Sequence, residues 1–337
     1  MPTAAHVSIS SRFDLCGGFT DIIPELPGAV LSCAVDVGQA RTRVDGHRLE
    51  APCANGGQLT ISVNGEPVNG MLRGALSAWC DHHRIRPGFQ LDFHSHLPLG
   101  SGLGVSSQLV AAGIACLAQM NTGAVDLRDA AQEAFRFETK FTSCGWQDQM
   151  PLVCGGFAFV SASNSQENGH TDVRFEELCL GDRFLTAFQE RTVLAWTGQS
   201  HFSRENLDAV KELVSKRAPH AMEALDRLRG LASSTRDLVL GADQPEPTVT
   251  QLGRLVMQNW DAELLLTEGR VECQSLRPLE THLRKLGGFK LLGAGAGGML
   301  LVIANSREDR CKVETLLKRH GMSLFRWVVA NHPAVVA

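Results

Sequence analysis

The chain has 337 residues and a mass of 36.5 kDa, enough for two medium-sized domains with separate cores. Hydrophobic residues make up 44% and charged residues 20% of the sequence, and the formal net charge is −4. These values exclude a disordered, collagenous or broadly basic nucleic-acid-binding protein.

The cysteines and the apolar segments indicate the cellular compartment in which the protein is expected. The ten cysteines are dispersed singly, without the ligand spacing of a structural zinc site. No apolar run reaches the roughly 18 residues of a membrane span, and the first residues do not resemble a signal peptide. We therefore expect a cytoplasmic protein with free thiols and with neither nucleic-acid nor membrane partners, and a homodimer stays open.

The N-terminal half mixes short strands with helices. Alternating apolar residues and turn residues predict strands within residues 5–16, 28–66, 90–100 and 154–162. Helical spacing predicts helices over residues 70–85, 106–120 and 126–140, and Asp126 is expected to cap the last of these.

The C-terminal half is also predicted to contain both strands and helices. Strands are predicted within residues 191–198, 289–305 and 324–331, and helices over 203–229, 248–266, 278–286 and 310–321. Residues 241–250 are predicted to be a loop between two helices. The pattern indicates an α+β fold, which we divide into domains at residues 1–180 and 181–337.

Residues 98–107, PLGSGLGVSS, form a glycine loop between a predicted strand and a predicted helix. Glycines 100, 102 and 104 permit positive φ angles, and the helix that begins near Val105 directs free amides and a positive dipole end into the loop. The spacing fits neither the Walker A nor the G-x-G-x-x-G pattern. The loop therefore indicates either an anion site or an ordinary capped turn.

Two further motifs accompany this loop. LPLGSGLGVSS resembles the second signature of the GHMP kinases (galacto-, homoserine, mevalonate and phosphomevalonate kinases). SSRFDLCGGFTD, which ends at Asp21, resembles their first signature, and KLLGAGAGGMLL (290–301) resembles their third. The three motifs occur in the order of that family. DLCGGFTD and GWQDQ (145–149) further resemble fucokinases, and the D-glycero-D-manno-heptose 7-phosphate kinases share much of this pattern.

The resemblance implies a fold and an activity. The expected fold has an N-terminal domain like ribosomal protein S5 domain 2 and a ferredoxin-like C-terminal domain. The expected activity is ATP-dependent phosphorylation of the anomeric hydroxyl of an L-fucose-like sugar, with Mg²⁺ as cofactor. A heptose 7-phosphate kinase and a non-catalytic sugar-binding homologue remain as alternatives.

The resemblance also assigns roles to residues that act on ATP. Asp148 would be the catalytic base, and Arg12 would pair with it and stabilise developing charge. Ser106 and Glu138 would hold the magnesium ion, which needs few protein oxygens. The phosphates would be bound by the loop residues Gly100, Ser101, Gly102, Leu103, Gly104, Val105, Ser106 and Ser107.

Sugar contacts are expected from polar groups, because hydrogen bonds to hydroxyls discriminate well between substrates. Asp21 is the first candidate, and the other expected substrate contacts are Gly17, Gly18, Trp146, Gln149, Gly295 and Gly297. Trp146 is equally expected as a core residue.

Five positions depart from the family pattern, among them Ser107 in place of the usual alanine and Phe19 in place of tryptophan. Val105 replaces a hydroxyl residue, Ala296 interrupts the glycine run of the third motif, and His201 stands where relatives commonly have arginine. These departures put the identity of the substrate in doubt more than the type of reaction.

Overall fold

The computed structural model describes residues 2–23, 25–38, 41–49, 59–85, 88–164, 171–200 and 204–337. The described strands are β1 (Ala4–Ile9), β2 (Ser11–Cys16), β3 (Gly28–Val37), β4 (Thr42–Arg48), β5 (Leu59–Val63), β6 (Glu66–Pro67), β7 (Phe89–His94), β8 (Phe157–Asn164), β9 (Thr171–Leu178), β10 (Thr192–Trp196), β11 (Gly287–Leu291), β12 (Met299–Ala304), β13 (Ser323–Phe325), β14 (Trp327–Val329) and β15 (Val335–Val336). The described helices are α1 (Met71–His82), α2 (Val105–Thr122), α3 (Leu127–Glu138), α4 (Gln149–Cys154), α5 (Asp182–Arg191), α6 (Arg204–Ser215), α7 (Pro219–Leu240), α8 (Pro245–Leu266), α9 (Glu280–Leu286) and α10 (Arg307–Arg319).

The strands form three sheets, so the predicted α+β class is confirmed. One sheet has the order β15-β1-β4-β7-β5-β6, and a second has the order β11-β12-β10-β13. The third contains β14-β3-β8-β9, with β2 paired to β3. The pairings described are antiparallel except for β5 with β7.

The end of the chain returns to the N-terminal sheets. Val329 of β14 pairs with Val35 of β3, and Val336 of β15 pairs with Val7 of β1. The single strand predicted over 324–331 is therefore wrong: β13 and β14 belong to different sheets, and the chain crosses between them near Arg326. The division at residue 180 stays a prediction.

The loop predicted over 241–250 is also wrong, because α8 begins at Pro245. Proline is well tolerated in the first helical turn, where its missing N–H has no intrahelical partner. The two prolines of this segment therefore start a helix and do not exclude one.

The buried residues form two main cores. The larger core surrounds α2, whose residues from Leu109 to Leu117 are all buried, so that the helix is apolar on every side. The second core lies between α7–α9 and the sheet of β10–β12. In the described part of the chain, no helix has the length and apolarity needed to cross a membrane.

Candidate active site

A cavity of about 130 Å³ lies where the first turn of α2, the loop before α4 and the third motif meet. The residues that line it are Arg12, Gly18, Phe19, Ile22, Ser106, Ser107, Glu138, Thr142, Ser143, Cys144, Gly145, Gln147, Asp148, Leu207, Gly293 and Ala294. The cavity therefore contains residues from all three sequence motifs and from GWQDQ.

Arg12 and Asp148 form an ion pair at this cavity. Arg12 Nε donates to Asp148 Oδ1 at 2.6 Å, Nη2 contacts the same oxygen, and Nη1 donates to the carbonyl of Gly102 at 2.9 Å. Burial lowers the pKa of Arg12, but Asp148 and Asp14 outweigh that effect and leave the pKa raised. A guanidinium held charged in this way cannot accept a proton, so Asp148 is the candidate base of the pair.

The second oxygen of Asp148 has its own donor. Ser107 Oγ donates to Asp148 Oδ2 at 3.2 Å, and the side chain of Asp148 is 14% exposed. The carboxylate is therefore oriented at both oxygens and still reaches the cavity. These are the conditions that a positioned general base needs.

Glu138, the last residue of α3, faces the start of α2. Ser106 Oγ donates to Glu138 Oε1 at 3.1 Å, and Gln149 Nε2 donates to Oε2 at 3.0 Å. Burial and the nearby Asp148 raise the pKa of Glu138 to about 7, so the ionised carboxylate lacks sufficient compensation from its surroundings.

This pair of oxygen ligands fits Mg²⁺, which prefers oxygen donors and keeps several waters or phosphate oxygens. A cation beside Glu138 would compensate the buried carboxylate. The described residues contain no cluster of three or more His, Cys, Asp or Glu side chains that could hold a metal.

The glycine loop packs directly on the third motif. A Cβ on Gly102, whose φ is +80°, would lie 2.3 Å from the carbonyl oxygen of Leu292, so only glycine fits there. Met299 N donates to the carbonyl of Ser101 at 2.8 Å. The third motif thus closes against the back of the loop.

The predicted phosphate-binding residues divide into two groups. Ser106 and Ser107 line the cavity, whereas Ser101, Leu103 and Val105 are buried behind it. The carbonyls of Gly102 and Leu103 accept hydrogen bonds from Arg12. The N-cap residue of α2 is Gly104, which has no side chain to cap the first amides of the helix, and uncapped amides of this kind can bind an anion.

Asp21 supports the loop that carries the candidate base. Its carboxylate accepts from Gln147 N at 3.2 Å and from Gln147 Nε2 at 3.4 Å, and it is not among the residues that line the cavity. Burial, followed by repulsion from Asp148, raises the pKa of Asp21 to about 7. Its predicted contact with sugar stays a prediction.

The other predicted sugar contacts take different positions. Gly18 lines the cavity, whereas Gly17 N donates to Asn259 Oδ1 at 2.8 Å. Trp146 packs in a small core with Val30 and Val160, which is the core position expected as the alternative to a sugar contact. Gln149 is buried and donates to Glu138.

Gly293 and Ala294 are the residues of the third motif that line the cavity. The predicted contacts Gly295 and Gly297 pack elsewhere: a Cβ on Gly295 would meet Val271, and a Cβ on Gly297 would meet Gln199. Ala296 has a φ of 59°, a conformation that glycine adopts at lower cost. His201 lies outside the described residues.

Sequence reasoning missed several lining residues. Gln147 could have been found, because it immediately precedes Asp148 in GWQDQ. Leu207 of α6 and Cys144 carry no local signal, since only the tertiary fold brings them to the cavity.

Comparisons with known proteins identify similar sequences and folds. Residues 70–156 match the family model of the GHMP kinases N terminal domain. The chain is 25% identical over 246 residues to a bifunctional fucokinase/GDP-fucose pyrophosphorylase of Arabidopsis thaliana, covering 72% of this chain and 23% of that protein. It is 25% identical over 239 residues to a D-glycero-alpha-D-manno-heptose 7-phosphate kinase of Campylobacter jejuni, covering 69% of this chain and 66% of that protein.

The fold is similar to that of a D-glycero-D-manno-heptose 1-phosphate kinase from Bacteroides thetaiotaomicron, with a TM-score of 0.73 at 15% identity, covering 99% of this chain and 98% of that one. The match to the Arabidopsis protein spans about a quarter of that protein's length. The chain therefore contains a GHMP kinase N-terminal domain and has the GHMP kinase fold.

Proposed function

We propose that the protein is an ATP-dependent sugar kinase that phosphorylates the anomeric hydroxyl of an uncharged, L-fucose-like monosaccharide. The observation that carries this proposal is the Arg12–Asp148 pair, which lies beside the uncapped N-terminus of α2 and beside the Ser106–Glu138 oxygen pair. A base, an anion site and a magnesium site thus meet at one cavity.

The chemistry follows from these positions. The first amides of α2 bind phosphate oxygens of ATP. Ser106 and Glu138 would hold Mg²⁺, which neutralises phosphate charge when bound. The sugar hydroxyl oxygen attacks the γ-phosphorus and its proton passes to a carboxylate oxygen of Asp148. The bond between the γ-phosphorus and the bridging oxygen breaks, and ADP leaves. Arg12 orients the Asp148 carboxylate through its hydrogen bond.

The described residues that line the cavity favour a neutral acceptor, and the ammonium of Lys211, which reaches the wall of the cavity, is already bonded to Ser143 Oγ at 3.0 Å. Among the described residues that line it, Arg12 is the one arginine or lysine, and its guanidinium already binds Asp148 and Gly102. An acceptor that carries its own phosphate needs further cationic groups. The fucokinase relative supports a fucose-like acceptor, whereas the heptose 7-phosphate kinase relative supports the alternative.

An acceptor panel tests this proposal. Fucose, galactose, arabinose, mannose and heptose 7-phosphate are each incubated with ATP, with and without Mg²⁺, and ADP release is followed. The proposal predicts magnesium-dependent release with a neutral sugar and a ³¹P signal from a sugar 1-phosphate. Release with heptose 7-phosphate alone would establish the alternative, and sugar binding without any release would indicate a non-catalytic protein.

A further inference from the structure

Lys290, on β11, is fully buried next to two carboxylates. Its Nζ contacts Asp14 Oδ2 and donates to Glu263 Oε1 at 2.8 Å. Asn259 Nδ2 also donates to Glu263 Oε1, at 2.7 Å. A buried ammonium is costly unless it is paired, and one carboxylate is enough to balance it. The second carboxylate therefore requires another explanation.

Asp14 links this cluster to the active site. Asp14 and Arg12 lie two residues apart on β2, so their side chains emerge on the same face of the strand. Asp14 Oδ1 lies 3.8 Å from Arg12 Nη1 and has no hydrogen-bond donor among the described residues. The charges alternate in the order Lys290, Asp14, Arg12 and Asp148.

The pKa shifts of the two carboxyl groups agree with this series of alternating charges. Burial raises the pKa of Asp14, but Lys290 and Arg12 outweigh it and leave the pKa lowered, so Asp14 is ionised. Burial raises the pKa of Glu263 to about 7, in spite of the opposing effect of Lys290. Lys290 Nζ thus bonds to both carboxylates, and its contact with Asp14 is the one that continues to Arg12.

We propose that Lys290 is a positioning residue that acts through Asp14: it fixes the guanidinium of Arg12 and thereby the orientation of the Asp148 carboxylate. Lys290 is the first residue of the third motif (290–301), so its contact with Asp14 ties that motif to β2. The kinetic part of this inference rests on the proposed kinase function.

Loss of Lys290 would remove one of the two cations beside Asp14 and leave Arg12 Nη1, 3.8 Å from Asp14 Oδ1, as the other. The Asp14 carboxylate would then be free to shift, and the guanidinium of Arg12 would lose its fixed position. A displacement of catalytic groups by about 1 Å lowers turnover by up to about 100-fold. We therefore expect Lys290→Met to reduce kcat by about 10- to 100-fold, with the KM values for ATP and sugar within about threefold of wild type.

Glu263→Gln is the matched control. It lies in the same cluster, keeps an oxygen that can accept from Lys290 and Asn259, and leaves the contact between Lys290 and Asp14 intact. Its kcat per folded enzyme should stay within about threefold of wild type. The double variant Lys290→Met/Asp14→Asn should be no slower than the slower single variant, because both act through one contact.

A purely structural role gives a different result. Lys290→Met and Glu263→Gln would then both lower the free energy of unfolding and leave kcat per folded enzyme unchanged, which would overturn the proposal. If Lys290→Met does not fold, Asp14→Asn carries the test, because it retains the pair of Lys290 and Glu263. It should show the same fall in kcat.

A spectroscopic readout separates this inference from the kinase proposal. The Nε–H signal of Arg12, assigned by Arg12→Lys in ¹⁵N-arginine-labelled protein, should shift in Lys290→Met or Asp14→Asn and stay in place in Glu263→Gln. An Arg12 signal that is unmoved in both of the first two variants contradicts the inference, whatever the wild-type activity. A wild-type enzyme without turnover that shows the expected shift contradicts only the kinase proposal.

Discussion

Arg12 and Asp148 lie 136 positions apart in the sequence, yet Nε of Arg12 donates to Oδ1 of Asp148 at 2.6 Å. Strand β2 presents Arg12, and the carbonyl of Gly102 and the hydroxyl of Ser107 hold the pair from the side of α2. The ion pair therefore joins the first motif, the glycine loop and GWQDQ at one point. The following predictions test what this arrangement does.

Glu138→Gln should weaken the binding of Mg²⁺. The amide has nearly the same size as the carboxylate but lacks its charge, so the apparent affinity for Mg²⁺ should fall by at least about 100-fold. A Mg²⁺ titration of ADP release measures this. Glu133→Gln on the same helix, whose carboxylate accepts from Trp79 Nε1, should keep the wild-type titration. Equal magnesium curves for the Glu138 variant and the wild type would exclude Glu138 as a ligand.

Asp21→Asn should make the ligand-free protein more stable at alkaline pH. The folded-state pKa of Asp21 is about 7, above its ordinary value of 3.8, because of burial first and of Asp148 second. The folded state thus binds more protons than the unfolded state between about pH 4 and 7, and this residue lowers the free energy of unfolding as the pH rises through that window.

At pH 5 the carboxyl group is neutral in the folded protein but ionised in the unfolded chain, so the variant should already be more stable by about 2 kcal/mol. At pH 8 the advantage should reach about 4 kcal/mol, since the pKa is raised by about three units and each unit corresponds to about 1.4 kcal/mol. Urea unfolding at the two pH values measures the difference. A difference that is the same at both values would show that Asp21 does not titrate near neutral pH.

Gly145→Ala should strongly destabilise the loop before Asp148. A Cβ at this position would lie 1.6 Å from Asp21 Oδ2, so the loop or Asp21 must move. We expect a loss of about 3 kcal/mol or more in the free energy of unfolding. Gly230→Ala is the control, because it is exposed in α7 and a Cβ there meets no atom within 4 Å. That variant should gain about 0.5–1 kcal/mol.

The sequence predicted the elements that have strong local signals. The helix after the glycine loop and the helix capped by Asp126 were predicted closely, since Asp126 accepts from the amides of Arg128 and Asp129. The helices α4 and α5 were missed. In α4 the segment is only six residues long, too short for a helical period to be read.

The motifs indicated Arg12, Ser106, Glu138 and Asp148 as site residues, and all four line one cavity. The motifs did not indicate which residues lie beside them. Asp21 bonds to Gln147, a relationship between distant loops that no local pattern indicates. The contact between Lys290 and Asp14 is of the same kind, since a lysine in a strand is ordinarily read as exposed. Side-chain pairing between distant segments is therefore what the sequence alone leaves out.

The most direct test of the central claim is the turnover of Asp148→Asn with MgATP and the best acceptor from the panel. The amide retains the shape of the carboxylate but cannot accept the hydroxyl proton, so kcat should fall by about 1,000-fold while MgATP affinity stays within about threefold. Asp126→Asn, which preserves a helix cap, should leave kcat unchanged. A kcat for Asp148→Asn equal to that of the wild type would contradict the assignment of this cavity as the phosphoryl-transfer site.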